Sequence, residues 1–379
     1  MRLIARRTGE DVAFNGRRLE FSFWPSRDRD GVRTAQTRLF ALDPWSVIRQ
    51  VVERECAEGR REEALACLTQ AQAFFEVGTG QGNEAARPLA LYYSYLNAAK
   101  TFCLTLGELN DFERASHGLV LHGSDGDYDL DSARIQTKRT TPPGAGSPIP
   151  QIFDEMMRVL TRSRMSPATE YRMAALMPQI LSGHRLWAEA ADREERFFNL
   201  QSVNFRHDPD ARTMWLEVEL LQDDVGRFGI DHDDLLSRSG LIDFQEVESR
   251  EPERILLLQE KTPLHYGDGG PLAALDRLVE RVRDRLWMTV MLIHPYRRYY
   301  IYLCPAQERQ NLLPQLLSMY AVTFYFGSLT RYRPDRFERM LRGRFGPRIR
   351  DFITGQPRQL LYQLASEMAR RDVARPSIL

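Results

Sequence analysis

The chain has 379 residues, of which 43% are hydrophobic and 27% charged, so a folded protein with a sizeable core is expected and extensive disorder is excluded. Lys plus Arg and Asp plus Glu both number 52, so no overall charge selects a nucleic acid or a membrane. No apolar run reaches the roughly 18 residues of a transmembrane helix, and the basic N-terminus precedes no apolar signal region. These features predict a cytoplasmic protein with no membrane partner.

The cysteines and the loop motifs predict neither a disulfide nor a bound metal or cofactor. The four cysteines lack any CxxC spacing and are expected to be reduced thiols. They are Cys56, Cys67, Cys103 and Cys304. The acidic run from Asp125 lacks the Gly and Glu that a calcium-binding loop requires. The glycines from Gly78 precede no Lys-Ser/Thr pair, so we expect an interhelix loop there and no phosphate site.

The first 35 residues predict a β-hairpin lead-in. Asn15-Gly16 lies between alternating apolar residues within residues 12–24, and this pair favours a two-residue hairpin turn. The charged stretch 27–34 is expected to be a loop.

Residues 40–196 predict a helical region. Asp43 is a typical N-cap and Pro44 suits the first helical position. Helical spacing of apolar residues recurs along the region, and Pro178 is expected to break its last helix. The remaining predicted helices span 61–77, 89–106, 151–160 and 167–196. Residues 110–150 are expected to be irregular and exposed.

Residues 197–305 change to a pattern that is rich in β-branched and aromatic residues, typical of strands. The predicted strands span 197–205, 213–221, 244–247, 254–258 and 287–304, and a helix is expected over 272–285. The acidic cluster at Asp231 indicates the cap of the next helix better than a cation site. Glu260-Lys261 ends a strand, as in metal-dependent nucleases, but their Glu-x-Lys spacing is absent and we assign the pair no role.

Residues 306–379 are again predicted to be helical, over 308–329, 334–342, 347–353 and 358–369. Helices followed by strands and then helices indicate an α+β fold, because a doubly wound sheet would alternate them. We therefore expect the N- and C-terminal helical portions to pack together, with a β-rich middle segment between them in sequence.

Two apolar helices have polar residues along one face. Burying a polar group without a partner costs about 1–3 kcal/mol, so we expect the two faces to satisfy each other across a helix contact. A structural network is the preferred interpretation, although these residue types also suit an anionic ligand such as a phosphodiester. The predicted cluster comprises Tyr92, Tyr93, Asn97 and Lys100 on the first helix and Ser328, Arg331 and Tyr332 on the second.

From residue 331 onward the chain is Arg-rich. It has twelve Arg and five Asp or Glu, with aromatic residues between them. Arg331, Arg336 and Arg339 are therefore candidates for binding RNA or DNA phosphates. The alternatives are a solvated helix surface and a surface for a protein partner or a second copy of the chain.

Residues 88–100, 117–119 and 324–334 resemble the YaaC family of bacterial proteins, over roughly residues 40–370. The resemblance implies a cytoplasmic bacterial protein of this size and no established activity. The helix from Tyr92 to Lys100 is also similar to the opening helix of HEPN domains, which are helical bundles of RNA-cleaving toxins and phage-defence systems. This likeness implies that the helical portions form a HEPN-like bundle.

The HEPN catalytic signature places four to six residues between an Arg and a His, whereas Arg114 and His117 have two between them. The favoured function is therefore binding of a nucleic acid or a partner subunit in a bacterial stress or phage-defence module. One alternative is a ribonuclease in which His117 transfers protons and Arg114 or Lys100 stabilises the phosphorane. The other is a structural subunit of a larger assembly.

Overall fold

The structure is a computed structural model. It describes residues 4–29, 32–35, 38–82, 84–109, 115–122, 130–138, 149–166, 168–292 and 299–376. The chain forms two compact units. Unit 1 comprises residues 1–40, 196–309 and 370–374, and unit 2 comprises residues 41–195, 310–369 and 375–379.

The α-helices are numbered in chain order. They are α1 Pro44–Glu55, α2 Glu58–Thr79, α3 Arg87–Leu106, α4 Ile152–Thr161, α5 Met173–Leu176, α6 His184–Ala191, α7 Gln222–Arg227, α8 His232–Ser239, α9 Gly270–Thr289, α10 Gln315–Tyr332, α11 Pro334–Arg342 and α12 Gly346–Ala369. Short 3-10 turns occur at Met177–Gln179, Gly267–Gly269 and Ala306–Asn311.

The strands are also numbered in chain order. They are β1 Glu10–Asp11, β2 Ala13–Phe14, β3 Arg17–Arg18, β4 Ser26–Arg29, β5 Val32–Ala35, β6 Leu39–Phe40, β7 Leu119–His122, β8 Arg134–Thr137, β9 Glu170–Arg172, β10 Phe197–Asp208, β11 Thr213–Leu221, β12 Phe244–Val247, β13 Ile255–Glu260, β14 Leu264–His265, β15 Val290–Leu292, β16 Tyr299–Tyr302 and β17 Val373–Ala374.

Unit 1 is built on an antiparallel sheet in the order β12-β13-β11-β10-β16-β15, with β1 added to β10 and β14 to β11. Alternate residues of the strands, such as Leu216, Val218, Leu256 and Leu258, enter one hydrophobic core. The same core contains Leu275 and other apolar residues of α9. Helix α9 therefore covers this face of the sheet, and its amphipathic sequence accounts for that packing.

The N-terminal hairpin is confirmed: β2 pairs with β3, and Asn15 and Gly16 have positive φ angles of 50° and 73°. These angles suit the type I′ turn that an Asn-Gly pair favours. The expectation of a loop over 27–34 was wrong, because β4 pairs with β5 across that stretch. Its charged residues suggested a loop, although the Asp30-Gly31 pair in the sequence is itself a hairpin signal.

Unit 2 packs the N- and C-terminal helices together, as predicted for the α+β class: α1 and α3 contact α12, and α3 contacts α10. The Asp43 cap is confirmed, since its carboxylate accepts hydrogen bonds from the backbone N–H groups of Trp45 and Ser46 at 3.0 and 3.3 Å. Helices α2 and α3 pack closely because Gly78 adjoins Leu91, where an added Cβ would lie 2.8 Å from Cδ2. Gly78 thus lies within α2 and not in the interhelix loop that we expected.

Other predicted elements differ from the structure. Within 110–150, β7 and β8 pair and extend to β9, and Leu119 and Ile135 are buried, so the described part of this stretch contains regular strands and is partly buried. The helix expected over 167–196 is divided into β9, α5, a 3-10 turn containing Pro178, and α6. The acidic run and the Pro-rich loop of this stretch lie largely outside the described residues.

Three predicted elements towards the C-terminus have different bounds in the structure. Pro314 directly precedes α10, which therefore begins at Gln315 and not at residue 308. Helix α12 runs unbroken from Gly346 to Ala369 with Pro357 inside it, where two helices were expected. The strand predicted over 287–304 is two strands, because α9 continues to Thr289 before β15 and β16.

Candidate functional site

Helices α3 and α10 of unit 2 bring together the two sequence segments that carry the predicted polar cluster. Gly327 of α10 faces α3, and a Cβ added there would lie 2.7 Å from Tyr92 Cβ and 3.1 Å from the Pro88 carbonyl oxygen. Only a glycine permits this approach without displacing a helix, because both neighbours are on or next to the backbone. The short helix–helix distance positions the side chains on either side of Gly327.

One hydrogen bond of the predicted cluster crosses between these helices. Arg331 Nη1 donates to the Tyr93 hydroxyl at 3.0 Å, near the exposed end of α10. The Tyr93 ring also stacks on Phe74 of α2, with ring centroids 5.4 Å apart. The polar tip of Tyr93 is thus shared with Arg331 while its ring covers apolar surface, as is common for tyrosine.

The other predicted members of the cluster have different surroundings. Asn97 Nδ2 donates to the Tyr93 carbonyl of its own helix at 3.0 Å, and Ser328 is buried. Lys100 is close enough to Cys67 on α2 to act on its thiol: burial raises the pKa of Cys67, and the Lys100 charge partly opposes this. Lys100 of α3 is therefore adjacent to α2. The polar residues of α3 thus contact two helices, α2 and α10.

The small polar residues of α3 bond to the backbone of α2, which the sequence pattern did not indicate. Ser94 Oγ donates to the Ala71 carbonyl at 2.8 Å, and Thr101 Oγ1 donates to the Ala64 carbonyl at 3.1 Å. These bonds satisfy two buried hydroxyls that would otherwise cost about 1–3 kcal/mol each. Much of the polarity of α3 therefore serves its packing against α2.

His117 lies against the aromatic residues of the α3–α10 contact. Its ring centroid is 5.2 Å from that of Phe324 and 6.4 Å from that of Tyr92, and the Tyr92 and Phe324 rings are 5.6 Å apart. His117 Nδ1 accepts a hydrogen bond from the Leu119 backbone N–H at 3.2 Å. In the neutral ring, Nε2 is then the protonated nitrogen.

The surroundings of His117 favour its neutral form. Burial, and secondarily the Lys138 charge, lowers the pKa of His117 from 6.5 to about 4. Lys138 Nζ donates to Ser116 Oγ at 2.9 Å. Sequence reasoning missed Lys138, although it is one of only three lysines. Arg114, the predicted partner of His117, lies outside the described residues.

Two buried tyrosines, Tyr92 and Tyr320, lie near the contact between α3 and α10. Burial raises the pKa values of Tyr92 and Tyr320. The Tyr320 hydroxyl is buried and has no hydrogen-bond partner within the part of the chain that the structure describes. Tyr92 and Tyr320 therefore remain protonated at neutral pH.

A second group of predicted residues lies on an exposed surface at the end of α10 and along α11. We call it the basic surface and define it by Arg331, Tyr332, Arg333, Arg339 and Arg342, all of which are exposed. Tyr332 is 61% exposed, and the Arg331 guanidinium carbon lies 5.0 Å from the centroid of its ring. The third arginine candidate, Arg336, is half-buried at the edge of this surface.

Neither a metal cluster nor a membrane span is found in the described ranges. No three His, Cys, Asp or Glu side chains there come together as a metal ion would require. None of the helices in those ranges has the length and apolarity needed to cross a membrane.

The family model described as YaaC-like Protein matches residues 32–368, which include both α3 and α10 and, between them in sequence, His117. The chain belongs to the YaaC-like family. The comparisons with curated proteins and with solved structures gave no match. The resemblance to YaaC is thus confirmed over nearly the whole chain, whereas the likeness of α3 to HEPN domains stays a prediction.

Proposed function

We propose that this YaaC-like chain binds single-stranded nucleic acid through the basic surface of unit 2. The observation that carries the proposal is Tyr332, an aromatic ring that is 61% exposed and adjoins the Arg331 guanidinium. Proteins that bind single strands combine arginines that contact the phosphates with exposed aromatic rings on which unpaired bases stack. Tyr332 and its neighbouring arginines have this combination.

The charges around Tyr332 support the proposal. Arg331 and Arg339 form no ion pair with any carboxylate that the structure describes, and Arg342 approaches Glu338 at 3.8 Å. Cations without carboxylate partners retain their full attraction for phosphate groups. The overall balance of 52 acidic and 52 basic residues is compatible with this local excess, because phosphate binding depends on the charge close to the contact.

Helix stability is the competing explanation of the charges on α11. Asp335 lies in its first turn and Arg339 and Arg342 in its last, and this arrangement complements the helix dipole by about 0.3–1 kcal/mol per charge. The dipole accounts for these charged residues, but it does not account for an exposed tyrosine beside Arg331. Tyr332 is therefore the residue that distinguishes a binding surface from a stabilised helix.

Binding is best measured by fluorescence anisotropy with a labelled single-stranded RNA and DNA of about 12 nucleotides. Affinity is expected to fall as salt rises from about 50 to 200 mM. Replacing Arg331 and Arg339 together by Gln should reduce the slope of log K against log salt by about 1.4, since each lost phosphate contact removes about 0.7. Arg193→Gln, at another exposed site of unit 2, is the control and should leave the slope unchanged.

Tyr332→Ala should weaken binding about 5- to 100-fold, the loss expected for one stacked base, with little change in the salt slope. Val77→Ala is the matched control, because Val77 is also exposed, at 58%, and lies on α2. If wild-type protein shows no salt-dependent binding, or Tyr332→Ala binds as wild type does, the proposal fails. Dimerisation or a captured protein that depends on Tyr332, without nucleic-acid binding, would instead favour a protein partner at this surface.

The setting of this activity in a bacterial stress or phage-defence module is part of the same proposal and rests only on the likeness of the helix from Tyr92 to Lys100 to HEPN domains. We rank the ribonuclease alternative lower, because a His117 pKa of about 4 leaves little driving force for proton abstraction near pH 7. His117→Ala and Lys100→Ala should accordingly leave RNA intact to the same extent as wild type. Loss of an RNA-cleaving activity in either variant would revive the alternative.

A further inference from the structure

Unit 1 contains a cavity that the proposed function does not use. It has a volume of about 280 Å³ and lies between the end of β13, the start of β12 and helix α9. Its walls include Asp243, Phe244, Glu260, Lys261 and Arg281. We call it the α9 cavity. Two cations and two carboxylates line this small cavity, which opens to solvent at Asp243 and Lys261.

The strand register explains why Glu260 reaches this cavity. Glu260 is the last residue of β13 and shares a face with Leu256 and Leu258, whose side chains are in the core that α9 covers. Glu260 is 3% exposed, and its two carboxylate oxygens accept hydrogen bonds from Arg281 Nη2 at 2.9 Å and from the Leu216 N–H at 2.8 Å. Burial raises the pKa of Glu260 in spite of these donors.

Glu260 also fixes the orientation of Arg281. Arg281 Nη2 donates both to Glu260 and to the Thr262 carbonyl, the latter at 2.8 Å. Both hydrogen bonds use Nη2 of Arg281. Its Nε and Nη1 have no hydrogen-bond partner among the residues described. A guanidinium that is held by a buried carboxylate and keeps unused N–H groups is preorganised for an anion.

Lys261 supplies the second cation at the exposed rim. Its Nζ donates to the Ile242 carbonyl at 2.9 Å, which uses one of its three N–H groups. Asp243 is also exposed at this rim. Phe244 is 2% exposed, so its ring offers no surface on which a nucleobase could stack. The cavity wall therefore favours a small polar ligand over a flat aromatic one.

From this arrangement we infer that the α9 cavity binds a small hydroxylated phosphomonoester, the chemistry of a sugar phosphate. Arg281 and Lys261 contact the phosphate, and Asp243 accepts a hydrogen bond from a ligand hydroxyl. A phosphate suits the cavity better than a single carboxylate because its three terminal oxygens can accept hydrogen bonds from Arg281 and Lys261 at the same time. Glu260 is a positioning residue, since it acts through Arg281.

The test is calorimetric titration of the full chain with ribose 5-phosphate, ribose and inorganic phosphate. Ribose 5-phosphate should bind at least 10-fold more tightly than inorganic phosphate, and ribose should not bind measurably. Lys261→Gln should weaken ribose 5-phosphate at least fivefold. Asp243→Asn should reduce the preference for ribose 5-phosphate over inorganic phosphate, because only the sugar contacts Asp243.

Arg277→Gln is the control, because Arg277 is exposed one turn earlier on the same helix. Lys261 and Asp243 are at the rim, so their variants are expected to fold even if replacement of the Glu260–Arg281 pair disturbs unit 1. The inference is overturned if ribose 5-phosphate does not bind, or if it binds equally to wild type, Lys261→Gln and Asp243→Asn. Binding that is lost in the Arg331 and Arg339 variant instead would assign the phosphate to the basic surface.

Discussion

Replacing Gly327 by Ala tests how closely α3 and α10 pack. In an ordinary helix this change stabilises by about 0.5–1 kcal/mol, because Ala loses less backbone entropy than Gly. At Gly327 the new Cβ would lie 2.7 Å from Tyr92 Cβ and 3.1 Å from the Pro88 carbonyl oxygen. Neither atom can rotate away, so the helices must separate, which costs about 1–3 kcal/mol.

Gly355 provides the matched control in the same unit. It is an exposed residue of α12, and the nearest atom to an added Cβ is Asp351 Oδ1 at 3.8 Å, an ordinary contact. Gly355→Ala should therefore show the helix-propensity gain of about 0.5–1 kcal/mol without a steric cost. We expect Gly327→Ala to be less stable than Gly355→Ala by about 1–3 kcal/mol.

Urea unfolding followed by circular dichroism measures the difference, with wild type and both variants fitted in the same way. Gly78→Ala is a useful intermediate, since an added Cβ there would lie 2.8 and 2.9 Å from the side-chain atoms Cδ2 and Cγ of Leu91 but 3.3 Å from the nearest backbone atom, the Leu91 nitrogen. If Gly327→Ala is as stable as Gly355→Ala, α3 and α10 do not approach each other at Gly327 as closely as the structure has them. The position assigned to Tyr92 beside His117 would then lose its basis.

Three further outcomes are expected. The pKa of His117 is about 4 in the folded chain against 6.5 for a free histidine, so the unfolded chain takes up the proton first as pH falls. Between about pH 7 and pH 5 the free energy of unfolding of wild type, measured by urea titration, should therefore fall by about 1–2 kcal/mol more than that of His117→Phe. Parallel pH curves for the two proteins would contradict the burial of His117. Asp43→Ala should destabilise unit 2 by about 1 kcal/mol through loss of the α1 cap, and Asp43→Asn should destabilise it by less because Asn also caps helices. Equal losses of stability in the two variants would mean that the charge of Asp43 matters and its capping hydrogen bonds do not. A thiol reagent should modify Cys67 first under native conditions, because the other three cysteines are buried, and mass mapping that finds another cysteine first would refute this.

Local sequence signals predicted much of the fold. The Asp43-Pro44 cap, the Asn15-Gly16 turn and the strands at 213–221 and 244–247 all depend on interactions within a few residues, and the structure has them where they were expected. Other signals were less dependable. The pair β4–β5 was taken for a loop because it is charged, and the single helix α12, which contains Pro357, was predicted as two helices.

Local sequence signals predicted only part of the candidate site. Sequence spacing suggested that the polar face of α3 meets α10, and the bond from Arg331 to Tyr93 joins those segments. It did not indicate that Ser94 and Thr101 bond to α2, since a backbone carbonyl as partner leaves no trace in the pattern of residue types. The contact of His117 with Phe324 was equally hidden, because more than 200 residues separate them in sequence.

The sequence by itself determined the α+β class, the membership in the YaaC-like family and the excess of arginines near the C-terminus, because these follow from local propensity and from residue identity. Tertiary structure alone decided which side chains meet. The closure of α3 on α10 at Gly327 and the convergence of Glu260 with Arg281 both depend on packing between distant segments. Packing of this kind is set by the whole core, which no short stretch of sequence encodes.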